Sequence, residues 1–137
     1  LKKIFTILLT ALLFLGLSTN VFAATDEDQA KGLQLIEKAN IKIDKKIEQA
    51  VKDADRLQEN YLSQVAMPNA EIDQLTTKYN EELDKIIRSV YEETLQISKE
   101  TIIEAEEYGI KAECSWVLVE FADRSVWIDP IKVVGEN

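Results

Sequence analysis

Pro68 divides this chain into two long stretches without proline, each with apolar residues at helical spacing. That pattern leaves few folds open. Residues 26–66 read as one helix. Thr25 or Asp26 can cap it, and Glu27 and Asp28 sit in the first turn, where carboxylates suit the helix dipole. Its core-type positions run Leu33, Ile36, Asn40, Ile43, Ile47, Ala50, Ala54, Leu57, Tyr61, in alternating steps of three and four, a heptad seam. Met67-Pro68-Asn69 breaks the pattern: Pro68 disfavours helix at Met67, and Asn69 is a natural N-cap for a second helix. That second helix is expected over 69–108, with Gly109 as its C-terminal stop. Its seam starts at Ile72, Leu75, Tyr79 and Leu83 and ends at Thr101 and Ala105, in an eleven-residue pattern close to a straight helix.

The two seams can be laid against each other. In an antiparallel hairpin turning near residue 68, facing residues have a constant number sum. Ala54/Leu83, Ile47/Val90, Ile43/Thr94, Asn40/Ile97 and Ile36/Thr101 each sum to 137. Small residues at 50 and 54 meet large ones at 86 and 83, which fills facing layers without voids. Charge agrees: lysines dominate residues 31–52, and glutamates dominate 92–107 opposite. Exposed ion pairs contribute under about 1 kcal/mol each, so the apolar layers set the register. Asn40 is the one polar residue of the first seam, with Thr94 and Thr101 a turn to either side of its partner. These three read as a register-fixing polar core in which the amide bonds threonine hydroxyls; a small polar pocket or ion site is the other reading. Further apolar lines (Ile87, Tyr91, Leu95 and Ile102; Leu35, Ala39, Val51 and Leu62) need a cover, either the C-terminal segment or a second copy in a homodimer.

After Gly109 the grammar changes to strand alternation. Residues 110–137 are expected to form a β-hairpin cap at the base of the rod. Cys114 to Phe121 pairs with Val126 to Ile128 through a loop of about four residues, with Phe121 opposite Val126. Pro130 ends the second strand or marks it as an edge, and Ile131 to Val134 offers a third short strand. Val117, Val119, Phe121, Val126 and Ile128 form an apolar face that needs a partner. The opposite face carries Trp116, Leu118, Glu120, Trp127, Asp129 and Ile131, the candidate partner-binding residues; as aromatics at strand spacing, the tryptophans also read as core. Cys114 begins this strand, and it is either a buried apolar residue or the thiol of an intermolecular disulfide.

Residues 1–23 read as a secretory signal peptide. Lys2 and Lys3 form the charged region, 4–17 is apolar, and Val21-Phe22-Ala23 offers small residues at the cleavage positions. Fourteen apolar residues are short for a membrane span, so an uncleaved anchor is the lesser reading. Leu1 in place of Met reads as an alternative start codon, which points to a bacterium. Cleavage after Ala23 removes two lysines and no acid, leaving 14 basic and 25 acidic residues and a net charge of −11. Such a chain is a poor partner for nucleic acid or anionic lipid.

The chain has no histidine, one cysteine and four glycines. Histidine-based catalysis, histidine or cysteine-rich metal sites and a phosphate-binding loop are therefore not expected. No cofactor, metal or catalytic residue is assigned. The fold class expected is mainly α: a long antiparallel two-helix coiled-coil hairpin over 24–109, then the β-hairpin. The function expected is a secreted, non-catalytic interaction protein of the cell exterior that binds a protein or an envelope component. A holdase-type chaperone and a carbohydrate-binding module using the C-terminal tryptophans are the alternatives.

Overall fold

The computed structural model describes residues 25–136. The signal-peptide reading falls on residues 1–23 and so lies outside the described residues. Helix α1 spans Asp26–Val65 and helix α2 spans Ile72–Glu107, and the two pack as an antiparallel hairpin. The fold is mainly α, as the sequence implies. At about 1.5 Å per residue, α1 is about 60 Å long. Thr25 caps α1: its backbone is extended and its hydroxyl accepts from Asp28 N–H at 3.2 Å. At the far end of α2, Gly109 has φ 80° and its N–H donates to the Glu106 carbonyl, so the stop falls where glycine tolerates the left-handed region.

The connection between the helices departs from expectation at Asn69. Asn69 does not cap α2. Its φ is +62°, whereas an N-cap is extended, and the N-cap position belongs to Glu71, which makes no side-chain capping bond. Ala70 N–H donates to the Met67 carbonyl, with Pro68 second and left-handed Asn69 third, the pattern of a type II turn. The turn consumes the residues expected to begin the helix.

The seams pack as their numbers imply. Ile36, Ile43, Ile47, Ala50 and Ala54 of α1 are buried with Tyr79, Leu83, Val90, Thr94 and Ala105 of α2. The Tyr61 and Thr76 hydroxyls lie 2.9 Å apart, a pair in the expected register. Charge contributes little: Lys46 pairs with Glu93 across the helices, while Lys31 and Lys52 pair within α1. Near the base the core shifts by a residue. Leu33 is exposed, and Gly32 is buried instead. A Cβ at Gly32 would meet Ile110 Cγ1 at 2.7 Å, so glycine admits a residue from beyond the helices.

That incoming element is larger than a cap. Strands β1 (Ile110–Cys114), β2 (Val117–Phe121), β3 (Arg124–Ile128) and β4 (Ile131–Glu136) pair as β1 with β4 and β2 with β3, both antiparallel. From Ala112/Val133 to Phe121/Arg124 every paired set of numbers sums to 245, and in the gap Ser115 N–H donates to the Pro130 carbonyl at 2.6 Å. The four strands are therefore one long two-stranded ribbon, interrupted at Ser115-Trp116 and Asp129-Pro130. The loop has two residues, Ala122 and Asp123, where four were expected, and Phe121 faces Arg124 where Val126 was expected. A register shift of two residues leaves each side chain on its face: Phe121 and Ile128 of the expected apolar face are fully buried and Val119 and Val126 half-buried, whereas Val117, beside the interruption, is 39% exposed.

The ribbon runs back along the rod. Asp123 at its turn accepts from the Tyr79 hydroxyl at 2.8 Å, and Arg124 bonds Asn80 at 2.8 Å and pairs with Asp84. Burial, then the Asp123 carboxylate, pushes Tyr79 up to about 12, so it remains a donor at ordinary pH. Twelve strand residues span about 40 Å, which matches the stretch of α2 from Gly109 back to Tyr79. The ribbon thus forms a third layer along most of the hairpin, and the turn end of the helices projects beyond it. There Tyr61 and Leu75 are only half-buried and Ile72 is exposed, although all three lie on the seams.

At the interruption the ribbon makes a half-turn. On the first strand the inward positions are Ile110, Ala112 and Cys114, then Val119 and Phe121; on the second they are Arg124, Val126 and Ile128, then Ile131. The parity switches on both strands while the register holds. The strands exchange helices as well: β1 packs mainly on α2 and β4 on α1, whereas β2 packs on α1 and β3 on α2. Two-stranded ribbons twist more strongly than wide sheets, and Pro130 removes a ladder donor where the twist concentrates.

The hairpin turn carries local strain. Ala122 has φ +55°, a region that costs an alanine about 1 kcal/mol and a glycine almost nothing. Ala122→Gly should therefore stabilise the protein by about 0.5–1 kcal/mol despite glycine's greater freedom in the unfolded chain. A urea midpoint equal to or below that of the wild type would show that the turn is not strained.

Candidate functional site: an outward aromatic strip

Beyond the half-turn, the outer face of the ribbon carries Leu118 and Glu120 on β2 and Ser125 and Trp127 on β3; Trp116 immediately precedes β2. Leu118 and Trp127 are a directly facing pair. Trp116 is 51%, Leu118 54% and Trp127 57% exposed, while Phe121 and Ile128 on the inner face are fully buried. The tryptophans are therefore not core residues. Neighbouring cross-strand positions place Glu120 diagonal to Trp127 on the same face. The Glu120 carboxylate makes no hydrogen bond or ion pair among the described residues, whereas most ribbon charges are engaged: Arg124 with Asp84, Asp123 with Tyr79, Glu113 with Lys132.

Asp129 and Ile131, which simple alternation groups with these residues, do not belong to the strip. Both are buried against the helices. Alternation assumes a flat ribbon, and the half-turn carries them inward. Cys114 also turns inward and is half-buried.

Under the half-turn lies a polar cluster that fixes it. The Asn40 side chain on α1 donates to the Ile131 carbonyl and accepts from the Ile131 N–H, both at 2.8 Å, as a neighbouring strand would. Ser98 on α2 donates to the Asp129 carbonyl at 2.5 Å. Each helix thus holds the ribbon backbone at the point where it rolls. The expected partnership of Asn40 with threonine hydroxyls is not formed. Thr94 instead donates to the Val90 carbonyl one turn back in its own helix, and Thr101 is half-buried and makes no hydrogen bond to Asn40. Sequence reasoning missed Ser98, which lies one residue off the seam.

The Asp129 side chain sits inside this cluster. The Cys114 thiol donates to its Oδ2 at 3.7 Å, and its buried Oδ1 has no hydrogen-bond partner. Burial raises the Asp129 carboxyl above its ordinary range, against smaller opposing effects that include the Cys114, Thr94 and Lys99 side chains. Burial also pushes the Cys114 thiol up, and the Asp129 charge adds to the shift. A protonated, inward-facing thiol is a poor nucleophile, so the geometry does not favour the intermolecular disulfide.

The raised carboxyl sets a pH dependence. The native state keeps the Asp129 proton where the unfolded chain has lost it, so stability from this group is complete below about pH 4 and is lost as pH climbs through the folded value. Asp44, raised by burial, acts in the same direction, while Glu48 and Glu93, lowered by Lys52 and Lys46, act oppositely. Asp129→Asn isolates the effect. Between pH 4 and 7 the wild type should lose stability relative to this variant, read as converging or crossing urea midpoints. Parallel midpoint curves would show that Asp129 ionises freely in the fold.

Among the described residues, no cluster of side chains suits a metal ion, and no helix is long and apolar enough to cross a membrane. No known protein family matches the chain, and neither does any curated protein or solved structure. Its function has to be read from the site itself.

Proposed function

We propose that this chain is a non-catalytic interaction protein of the cell exterior, a helical rod that carries a ribbon whose outer face binds a protein or an envelope component. One observation carries the reading: Trp116, Leu118 and Trp127 are more than half exposed on a ribbon whose other face buries Phe121 and Ile128. Tryptophan is the residue most enriched in binding hot spots, and two of them left in water need a use the fold does not supply. The export half of the proposal rests on the apolar N-terminal run and its cleavage positions.

The double variant Trp116→Ala/Trp127→Ala tests the binding half. Both side chains are exposed, so helix content and urea midpoint should change little. Wild-type protein should retain a partner from the envelope and exoprotein fraction of the producing cell, and the variant should lose it about tenfold or more. Equal retention by the two proteins would remove the strip as the binding site.

A further inference from the structure

We propose that the strip takes a basic segment of a partner protein, seating a lysine or arginine side chain against an exposed indole face with its charge met by the Glu120 carboxylate. This deepens the binding function proposed above and rests on it.

Three features favour a cation over other occupants. First, an indole face attracts a cation through its quadrupole, and a carboxylate beside it supplies a charge-assisted acceptor. Trp127 and Glu120 are diagonal neighbours on the outer face, and the Glu120 carboxylate is unpaired among the described residues. Second, no basic side chain shares this part of the ribbon. Arg124 turns inward to Asp84 and Asn80, Lys132 is paired with Glu113, and Lys111 lies nine residues from Glu120, about 30 Å along the strand direction. Third, the chain as a whole carries a net charge of −9, so its field draws a basic segment and repels a second copy. A basic partner segment thus answers the acid, the aromatics and the field together, whereas a neutral glycan answers only the aromatics.

The chain has two tryptophans, and both lie in the strip, so intrinsic fluorescence reports its occupancy. The probe is a synthetic decapeptide of alternating arginine and valine, with a matched version carrying glutamine for arginine. The arginine peptide should give a saturable fluorescence change that weakens as salt rises from about 50 to about 500 mM. Glu120→Gln should weaken it up to about fivefold, the ratio one exposed ion pair is worth. Glu104→Gln, which removes one exposed charge from α2, should leave it unchanged. Equal binding of the glutamine peptide, or equal weakening by the two substitutions, overturns the proposal. If the arginine peptide does not bind while tryptophan-dependent retention of a natural partner persists, the basic-segment assignment fails and the binding function stands. Loss of both removes both.

Discussion

Asn40→Ala is expected to destabilise the protein by about 2–4 kcal/mol, far more than truncating one polar side chain on a helix surface. The Asn40 amide is the neighbouring strand that β4 lacks at Ile131, satisfying its N–H and its C=O together at 2.8 Å each. Alanine leaves both groups without partners at a packed junction, and each unsatisfied group costs about 1–3 kcal/mol. Asn40→Asp should be comparably damaging, because the Ile131 carbonyl would then face a carboxylate in place of a donor. Gln49→Ala is the natural control, since its amide bonds Asp53 one turn away in exposed surroundings. Urea titrations followed by helical circular dichroism give the comparison. A loss below about 1 kcal/mol for Asn40→Ala would mean that the ribbon is held by apolar contact alone.

The second large effect separates two residues that look equivalent in sequence. Phe121 and Leu118 are both large apolar residues of one strand. Phe121 is fully buried near the turn, while Leu118 is 54% exposed. Phe121→Ala should cost about 3–5 kcal/mol through lost burial and the cavity left behind. The loss should also loosen the turn anchors at Tyr79, Asn80 and Asp84. Leu118→Ala should cost under about 0.5 kcal/mol, as befits an exposed site. Comparable losses at the two positions would put the half-turn in the wrong place, because the half-turn decides which parity faces the helices.

The helical hairpin was readable because its signals are local. Heptad steps, Pro68, Gly109 and Thr25 act within a few residues of where they stand, and the constant pair sum extended them to the register. Asn69 shows where locality ends: its residue type suits an N-cap and a left-handed turn position equally, and the adjacent Pro68 selects the turn. Asn40 stands out on its seam, but the seam points to partners on the opposite helix. The ribbon backbone it holds lies 91 residues away in sequence, and nothing local marks it. Gly32 was silent for the same reason, its use being the room it gives Ile110.

The candidate site was legible in part. The alternation identified Trp116, Leu118, Glu120 and Trp127 as one face, and it identified the opposite face as apolar. It carried Asp129 and Ile131 to the wrong side because a period of two is blind to a twist.

The sequence alone therefore determined two helices, where each begins and ends to within a few residues, how they face each other, and that an alternating segment comes after them. These outcomes rest on periodicity and turn chemistry, which operate over short distances. Only the tertiary structure decided that the segment lies along the rod, that it rolls by half a turn at Pro130, and that two tryptophans end in water while an aspartate ends in the core. Those outcomes depend on how a two-stranded ribbon's twist is met by Asn40 and Ser98 from two different helices, a balance of distant contacts that no stretch of residues carries by itself.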